Sequence, residues 1–201
     1  MSINYVVKRI DTLTAKQYIC QNHYSHGCHN GPSPCYGLFD NNQLIGVLMF
    51  ATPCSENVRS SLFGEQHKNG VVELHRLHIL DGTPRNTESY FIGKCLRLLI
   101  KDRPQTLGVI SFADATEGHK GIIYQATNFL YCGTTGKTRF YIDKEGRLRH
   151  PRQNGINISL TKATQLGWTP TIREGKYRYV YLLSKNAKKL FRLTKLPFPK
   201  N

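Results

Sequence analysis

The chain has 201 residues, of which 39% are hydrophobic and 20% charged, a composition that fits one folded domain and excludes an intrinsically disordered chain. No apolar run approaches the roughly 20 residues that span a membrane, and the first ten residues lack the apolar stretch of a signal peptide. The six cysteines include no C-x-x-C pair, so neither a disulfide framework nor a zinc ribbon is expected. We therefore expect a cytoplasmic protein that no membrane holds.

The net charge of +15 is concentrated in the last third of the sequence. Residues 132–201 contain 16 Lys and Arg against 3 Asp and Glu, a balance of +13, whereas residues 1–131 contain 12 against 10, a balance of +2. A basic surface attracts nucleic acid, because the phosphates that it neutralises release their counterions. A solvated basic tail is the alternative.

Aromatic residues interleave with these charges, which favours contact with double-stranded DNA. Phe140, Tyr141, Trp168 and Tyr177 are candidates to stack on a flipped adenine or to fill the gap that it leaves. The cations expected to contact DNA are Lys137, Arg139, Arg147, Arg149, Arg152, Arg173, Lys176 and Arg178.

The first part of the chain predicts a strand over residues 4–9 and a short helix over residues 14–22 with a Thr cap. Residues 23–35 are rich in His, Cys, Gly and Pro and predict a loop. Residues 36–40 and 43–51 flank an Asn-Asn pair, which predicts a β-hairpin, and a polar loop follows over residues 52–70.

Strands and helices alternate in the rest of the chain. We predict strands over residues 71–79, 108–113 and 176–183, helices over residues 87–101 and 121–128, and a hairpin turn at residues 144–146. Strict alternation in the first of these strands places Arg76 on the face of Leu74. The order predicts one α/β domain over residues 1–183, with a mixed central sheet flanked by helices, and a basic tail or short helix over residues 184–201.

Residues 109–133 combine an apolar strand, a polar loop and a helix that reads G-x-x-Y-x-A-x-x-F-x-x-x-G. This segment resembles the fifth strand and fourth helix of the GNAT acyltransferase superfamily. The resemblance implies the GNAT fold for the domain. It also implies that Tyr124 occupies the place of a tyrosine that acts as general acid in many GNAT enzymes.

Motifs over residues 5–182 resemble the phage Mom proteins more closely. They are His23-Tyr24-Ser25, Glu73-Leu74-x-Arg76-Leu77, and Asp114 followed by Gly118-x-x-Gly121-x-x-Tyr124-Gln125-Ala126-Thr127-Asn128-Phe129. The resemblance implies a transferase that adds a small carbamoyl-type group to the N6 amine of adenine in phage DNA and so protects the DNA from restriction. The implied catalytic residues are His23, Tyr24, Arg76, Asp114 and Tyr124.

The chemistry of adenine gives these residues expected roles. The N6 amine is a poor nucleophile, so it needs a strong electrophile, a base or a metal. Asp114 follows the central strand, where ligands bind in α/β sheets, and is the expected base; a turn or cap residue is the alternative. Tyr124 would donate a proton unless it packs in the core with Phe129, and Arg76 would clamp an anionic group unless it pairs with Glu73.

A metal site is a further expectation, from the loop after the first helix. His23, His26, Cys28 and His29 lie within seven positions and could ligate iron or zinc, although their spacing matches no standard site, and an exposed polar loop is the alternative. The resemblance to Mom proteins implies iron, with His23 as ligand together with Tyr24 or Asp114. We expect His75 and His78 to be ordinary strand residues.

The loop over residues 81–88 departs from the GNAT acetyltransferases. These enzymes present the N–H groups of a Q/R-x-x-G-x-G/A loop to the pyrophosphate of acetyl-CoA. Here the loop has one glycine and a proline, which lacks an N–H donor. Acetyl-CoA is therefore not the expected donor of the acyl or carbamoyl group, and the small-molecule donor stays unidentified.

Three functions remain open at this point. The first is the Mom-type DNA transferase, for which a homodimer is one assembly to consider. The second is an acetyl-CoA-dependent N-acetyltransferase that acts on a protein or a small amine. The third is a non-catalytic nucleic-acid-binding module, for which the basic last third would suffice.

Overall fold

The computed structural model describes residues 5–24, 27–28, 30–153 and 155–199 of the chain. Its strands are β1 (Val6–Ile10), β2 (Cys35–Asp40), β3 (Gln43–Ala51), β4 (Val71–Ile79), β5 (Gly108–Ala113), β6 (Leu130–Thr134), β7 (Thr138–Ile142), β8 (Leu148–Arg149), β9 (Arg152–Gln153), β10 (Ile156–Asn157), β11 (Thr169–Arg173) and β12 (Tyr177–Leu182). Its α-helices are α1 (Thr12–Asn22), α2 (Glu56–Phe63), α3 (Thr87–Asp102), α4 (Ile122–Ala126), α5 (Leu160–Gln165) and α6 (Lys185–Leu190). Short 3₁₀ helices cover Glu65–Gly70 and Ala115–Glu117.

A seven-stranded mixed sheet forms the centre of the domain, in the order β1-β2-β3-β4-β5-β12-β6. Its strand pairs are antiparallel except for β4 and β5, which run parallel. A smaller antiparallel sheet, in the order β11-β7-β8, lies within the basic last third of the chain. No helix within the described segments is long and apolar enough to cross a membrane.

Helices cover both faces of the large sheet because its buried strands are apolar on both sides. One face packs against α3, through Phe91, Ile92 and Leu96, and against Tyr124 of α4. The other face packs against α1 at the β3 end and against α2 and α6 at the β5–β12 end. The apolar strand at residues 108–113, predicted to be central, lies between β4 and β12 and is confirmed.

The Asn-Asn turn of the predicted hairpin is confirmed. Asn41 and Asn42 adopt φ angles of 46° and 67°, the left-handed pair that a two-residue hairpin turn requires and that Asn tolerates. The turn fixes the register of β2 on β3, with Asp40 opposite Gln43.

The face assignment predicted for β4 is wrong beyond Leu74, because the strand contains a β-bulge. Phe50 of β3 pairs with Leu74 and Met49 pairs with Arg76, so the register between β3 and β4 skips His75. The extra residue reverses the alternation. Leu77 therefore shares the face of Leu74, and Arg76 points to the face covered by α1.

Two helix ends also differ from the prediction. The first helix begins at Thr12 because Asp11, rather than Thr14, is its cap: the Asp11 carboxylate accepts the backbone N–H of Thr14 at 2.9 Å. The helix predicted over residues 121–128 is confirmed only as α4, Ile122–Ala126. Asn128 has a φ of 63°, a left-handed conformation that a helix does not continue.

The segment after β12 packs onto the sheet. Ala187 of α6 is fully buried, and Leu190, Phe191 and Leu193 pack against the same cluster. The backbone N–H groups of Arg192 and Leu196 donate to the carbonyls of Leu62 and Tyr131, each at 2.9 Å. Apolar side chains between the lysines thus hold this segment against α2 and β6.

Gly121 allows α4 to begin close to the Tyr179 ring and so positions Tyr124. A substitution of Gly121 tests this role. Gly121 begins α4 with a φ of 73°, and a Cβ there would collide with the Tyr179 ring. We predict that Gly121→Ala lowers the free energy of unfolding by about 2 kcal/mol or more, through backbone strain and the collision together. Urea denaturation measures the change.

Gly146→Ala is the matched control, because Gly146 has a φ of 76° but nothing within 4 Å of the added Cβ. It should lower the stability by about 1 kcal/mol, from strain alone. Equal effects of the two substitutions would contradict the packing role of Gly121.

Candidate active site

The gap between β4 and β5 opens into a pocket that described residues line. The two strands pair only through Val71, Val72 and Glu73 of β4. Beyond that point β4 follows β3 and β5 follows β12, and Ser111 bridges the strands by donating its hydroxyl to the Leu74 carbonyl at 3.1 Å. The pocket at this opening measures about 560 Å³, in the range of small-molecule sites.

The structure brings all five predicted catalytic residues to this pocket. His23 and Tyr24 come from the end of α1, Arg76 from β4, Asp114 from the end of β5 and Tyr124 from α4. The sequence separates the first and the last by about a hundred residues, and the shared pocket is therefore a product of the fold.

Asp114 lies between two cations. Its carboxylate is 3.6 Å from Arg173 Nη2 and 3.4 Å from Lys176 Nζ, and it accepts the backbone N–H of Thr116 at 3.1 Å, which caps the following 3₁₀ turn. Burial raises the pKa of Asp114, but Lys176, the Thr116 N–H and Arg173 outweigh it, so the pKa lies below its ordinary value. In this arrangement the carboxylate is ionised but its basicity is reduced.

Tyr124 is buried at the base of the pocket. Its ring centroid lies 5.4 Å from that of Phe129 and 5.3 Å from that of Tyr179, so the predicted packing on Phe129 is confirmed while the residue also lines the pocket. Burial raises the pKa of Tyr124 to about 12, although a hydrogen bond with Ser111 opposes the rise. The hydroxyl therefore keeps its proton at neutral pH.

Arg76 connects the strand to the loop that follows α1. Its Nε donates to the Gly27 carbonyl at 2.9 Å and its Nη1 to the His75 carbonyl at 2.8 Å. The alternative pairing with Glu73 is not formed; Glu73 lies 3.7 Å from His75 Nδ1 instead. The bulge at His75 turns Arg76 toward this loop, and both backbone carbonyls fix its orientation.

His23 and Tyr24 form a stacked pair at the edge of the pocket. Their ring centroids are 4.3 Å apart with an interplanar angle of 29°. His23 is buried, whereas Tyr24 is 65% exposed. Tyr24 is thus an accessible aromatic surface beside a pocket, which is the feature that base stacking requires.

His78 lines the pocket, although the sequence predicts only an ordinary strand residue at this position. The Tyr18 hydroxyl donates its only proton to the Ile45 carbonyl at 2.7 Å, so it accepts from His78 Nδ1, 3.3 Å away. The neutral ring therefore carries its lone pair on Nε2. Burial lowers the pKa of His78, with Asp81 opposing. The β4 bulge that places this ring carries no recognisable signal in the sequence.

Among the described residues there is no group of three or more His, Cys, Asp or Glu side chains that could hold a metal ion. Of the predicted set of His23, Tyr24 and Asp114, the carboxylate is already paired with two cations. His26 and His29 lie outside the described residues. Iron stays a prediction.

Three of the predicted DNA-contacting cations pair with carboxylates of their own region. Arg147 Nε and Arg149 Nε donate to Asp143 Oδ2 at 2.9 and 2.7 Å, and Lys137 Nζ donates to Glu174 at 2.7 Å. Burial raises the pKa of Asp143, but hydrogen bonds from Arg147 and Arg149 hold it well below its ordinary value. The two pairs with Asp143 brace the predicted hairpin turn, which is confirmed between β7 and β8.

The other five predicted cations fall into three situations. Arg173 and Lys176 face Asp114. Arg178 lies on β12, and its Nε is buried without a hydrogen-bond partner among the described residues. Arg139 and Arg152 are exposed and pair with no carboxylate in the part of the chain that the structure describes. The cations of the basic region therefore differ in their surroundings. Some lie at the candidate site beside Asp114, some form ion pairs within their own region, and some are exposed to solvent.

The predicted stacking role of Tyr141 is wrong. Tyr141 is 1% exposed, and its hydroxyl donates to the Ile158 carbonyl at 3.1 Å. It anchors the small sheet, with Trp168 packed at a ring distance of 6.2 Å. Phe140, on the neighbouring position of β7, is only half-buried and faces a second pocket.

The N-terminus of α3 is unlike a pyrophosphate site. The backbone N–H of Thr87 donates to the Pro84 carbonyl at 3.2 Å, and its hydroxyl donates to the same oxygen at 2.6 Å. Glu88 lies in the first turn, and both Asp81 and Glu88 line the large pocket. Two carboxylates here oppose a bound pyrophosphate.

Comparison with solved structures identifies the class of fold. The chain is similar to a spermidine N-acetyltransferase of Vibrio cholerae, with a TM-score of 0.52 and 10% identity, covering 90% of this chain and 95% of that one. It is also similar to NAA60 of Arabidopsis thaliana, solved with acetyl-CoA, with a TM-score of 0.51 and 13% identity, covering 89% and 98%. The predicted GNAT-like mixed α/β fold is confirmed.

The sequence comparison is more specific. The Mom protein family matches residues 4–200, and the chain belongs to this family. It is 30% identical, over 206 aligned positions, to the methylcarbamoylase mom of Escherichia phage Mu, covering 96% of this chain and 83% of that protein. The family resemblance predicted from the motifs is confirmed.

The pairing of Asp114 with Arg173 predicts a measurable shift. We expect Arg173→Ala to raise the pKa of Asp114, because one of the charges that lower it is removed. Titration of the ¹³C-labelled carboxyl by NMR measures this. A depressed folded-state pKa stabilises the fold above the unfolded-state pKa and loses that contribution as pH falls through the folded value, so the stability difference between the variant and the wild type should vanish in acid.

Arg147→Ala is the control for this titration, because Arg147 pairs with Asp143 and Glu145 instead. Arg147→Ala should leave the pKa of Asp114 at its wild-type value. An unchanged pKa of Asp114 in Arg173→Ala would contradict the pairing.

Proposed function

We propose that this protein is a DNA-modifying transferase that adds a small carbamoyl-type group to the N6 amine of adenine in phage DNA and so protects that DNA from restriction. Its membership of the Mom family and its similarity to a phage methylcarbamoylase support the activity. The observation that carries the site assignment is the convergence of His23, Tyr24, Arg76, Asp114 and Tyr124 on one pocket. The place of action is the cytoplasm of the bacterial host.

The pocket takes an adenine flipped out of the duplex, because the N6 amine cannot react while it is stacked and paired. A volume of about 560 Å³ leaves room for the base together with a small donor. Tyr24, 65% exposed at the edge, offers a face on which the base can stack. Exposed cations of the basic region, led by Arg139 of β7 and Arg152 of β9, contact the phosphates on either side.

Asp114 accepts the proton that the amine loses when its nitrogen attacks the donor carbon. Arg173 and Lys176 hold the carboxylate at 3.6 and 3.4 Å in the free protein and weaken it as a base. DNA phosphates compete for both cations. Binding of DNA therefore raises the pKa of Asp114 and turns it into a stronger base only when substrate is present.

Tyr124 supplies the complementary proton. Its pKa of about 12 keeps it protonated, so it donates a hydrogen bond or a proton to the leaving group while the bond between donor carbon and leaving group breaks. Arg76, fixed by the carbonyls of Gly27 and His75, stabilises negative charge that develops on the donor. One N–C bond forms, one bond to the leaving group breaks, and the proton passes to Asp114.

The donor in this proposal is a small molecule without a pyrophosphate. Asp81 and Glu88 line the pocket near the N-terminus of α3, where a coenzyme A pyrophosphate would lie in a GNAT acetyltransferase. Repulsion between these carboxylates and the phosphates disfavours acetyl-CoA. A readily measured affinity for acetyl-CoA in calorimetry would favour the acetyltransferase alternative instead.

Asp114→Asn tests the role of the base. We predict that modified adenine falls by about a hundredfold or more, the usual effect of losing a general base. Affinity for DNA should not fall, because the substitution frees Arg173 and Lys176. Mass spectrometry of nucleosides from expressing cells gives the yield, and fluorescence anisotropy with a labelled duplex gives the affinity.

Asp40→Asn is the matched control, since Asp40 ends β2 beside the hairpin turn and lines neither pocket. It should leave both measurements at the wild-type level. A wild-type yield of modified adenine from Asp114→Asn would exclude catalysis by this carboxylate. DNA binding without any modified adenine from the wild type would instead favour a non-catalytic DNA-binding protein.

A further inference from the structure

A second, smaller pocket adjoins the large one. It measures about 180 Å³ and shares Asp114 and Lys176 with the large pocket. The rest of its lining comes from β7, from the end of β11 and from the residues that directly follow β6, β8 and β11, so it lies where the small sheet meets the end of the large one. None of the roles assigned above uses this pocket.

The lining of the small pocket combines an aromatic wall with two cations. Phe140 is held by Arg173, whose guanidinium carbon lies 5.6 Å from the ring centroid, and by His150, whose ring stands at 87° to it at 5.0 Å. Arg173 Nη2 and Lys176 Nζ supply positive charge on the side of Asp114. An aromatic ring beside paired cations is the environment that a base with its phosphate prefers.

Polar groups on the same wall can read the edge of a base. The backbone N–H of Arg152 donates to His150 Nδ1 at 3.0 Å. Since that nitrogen accepts, the proton of the neutral ring sits on Nε2, which is a hydrogen-bond donor. Thr138 offers an exposed hydroxyl and Glu174 a carboxylate that also binds Lys137. A donor and acceptors at fixed positions discriminate between bases.

We propose that the 180 Å³ pocket binds the nucleotide next to the modified adenine and gives the enzyme its preference for sequence context. This inference rests on the proposed function and names a specificity site for it. Arg173 lines the small pocket and its Nη2 lies 3.6 Å from Asp114, which lines both pockets, so the neighbouring nucleotide would draw Arg173 away from Asp114. Recognition of the neighbouring nucleotide and activation of Asp114 as the general base are then linked through the Arg173 side chain.

The experiment compares the sequences around modified adenines in cells that express the wild type, Phe140→Ala, His150→Ala or Thr138→Ala. Single-molecule sequencing gives the neighbouring bases, and mass spectrometry of nucleosides gives the total yield. The control is Ile172→Ala, because Ile172 is 58% exposed on β11 and lies outside both pockets. Thr138 is exposed, so its replacement does not endanger folding.

The wild type and the control should show a preference at one position beside the adenine, and the three variants should weaken it by about fivefold or more at that position only. The inference is overturned if the preference survives in all three variants, if it is lost equally at every position, or if the wild type modifies adenine without any neighbour preference. Absence of modified adenine from wild-type cells would instead contradict the proposed function, and this inference with it.

Discussion

The separation of β4 from β5 is the constraint on which the site depends. The strands are parallel neighbours for only three residue pairs, and then each follows its other neighbour in the sheet. The bulge at His75 bends β4 at the point of divergence and turns Arg76 and His78 to the face of α1. A regular β4 would put these side chains on the opposite face and leave Asp114 and Tyr124 beside a different set of neighbours.

The positive charge of the protein has several roles. Asp143 forms ion pairs with Arg147 and Arg149, and Glu174 forms one with Lys137. These pairs stabilise the small sheet. Arg173 and Lys176 instead neutralise the one carboxylate that the proposed chemistry needs as a base. A polyanion that binds this face would therefore alter the site directly. Electrostatic attraction and catalytic control would then use the same two side chains.

Much of the fold could be predicted because local signals and global structure agree. The Asn41-Asn42 pair between apolar segments is compatible with few structures other than a hairpin turn, and the wholly apolar run at residues 108–113 with few other than a buried strand. Both predictions are confirmed. The bulge could not be predicted, since one extra residue in an alternating strand has no distinct composition. The burial of Tyr141 was missed for a related reason: its place between charged residues resembles an exposed stacking position, and only the tertiary contact with Ile158 buries it.

The motifs predict which residues form the candidate site, but they do not predict the ion pairs, ring contacts or tautomers of those residues. The motif resemblance identified Asp114 and Tyr124 as site residues. The ion pairs of Asp114 and the contact of Tyr124 with the Tyr179 ring nevertheless come from segments 50 or more positions away. His78 had no motif and depends on Tyr18 for its tautomer. Such long-range relations arise from the topology of the sheet, which a single sequence does not display.

A crystal structure of the Asp114→Asn variant with a DNA duplex that contains a single adenine tests the central claim most directly. We predict that this adenine lies outside the helix, between β4 and β5, with its N6 amine within hydrogen-bond distance of residue 114 and near the Tyr124 hydroxyl. A duplex bound with the adenine still stacked, or an extrahelical adenine held elsewhere on the protein, would contradict it.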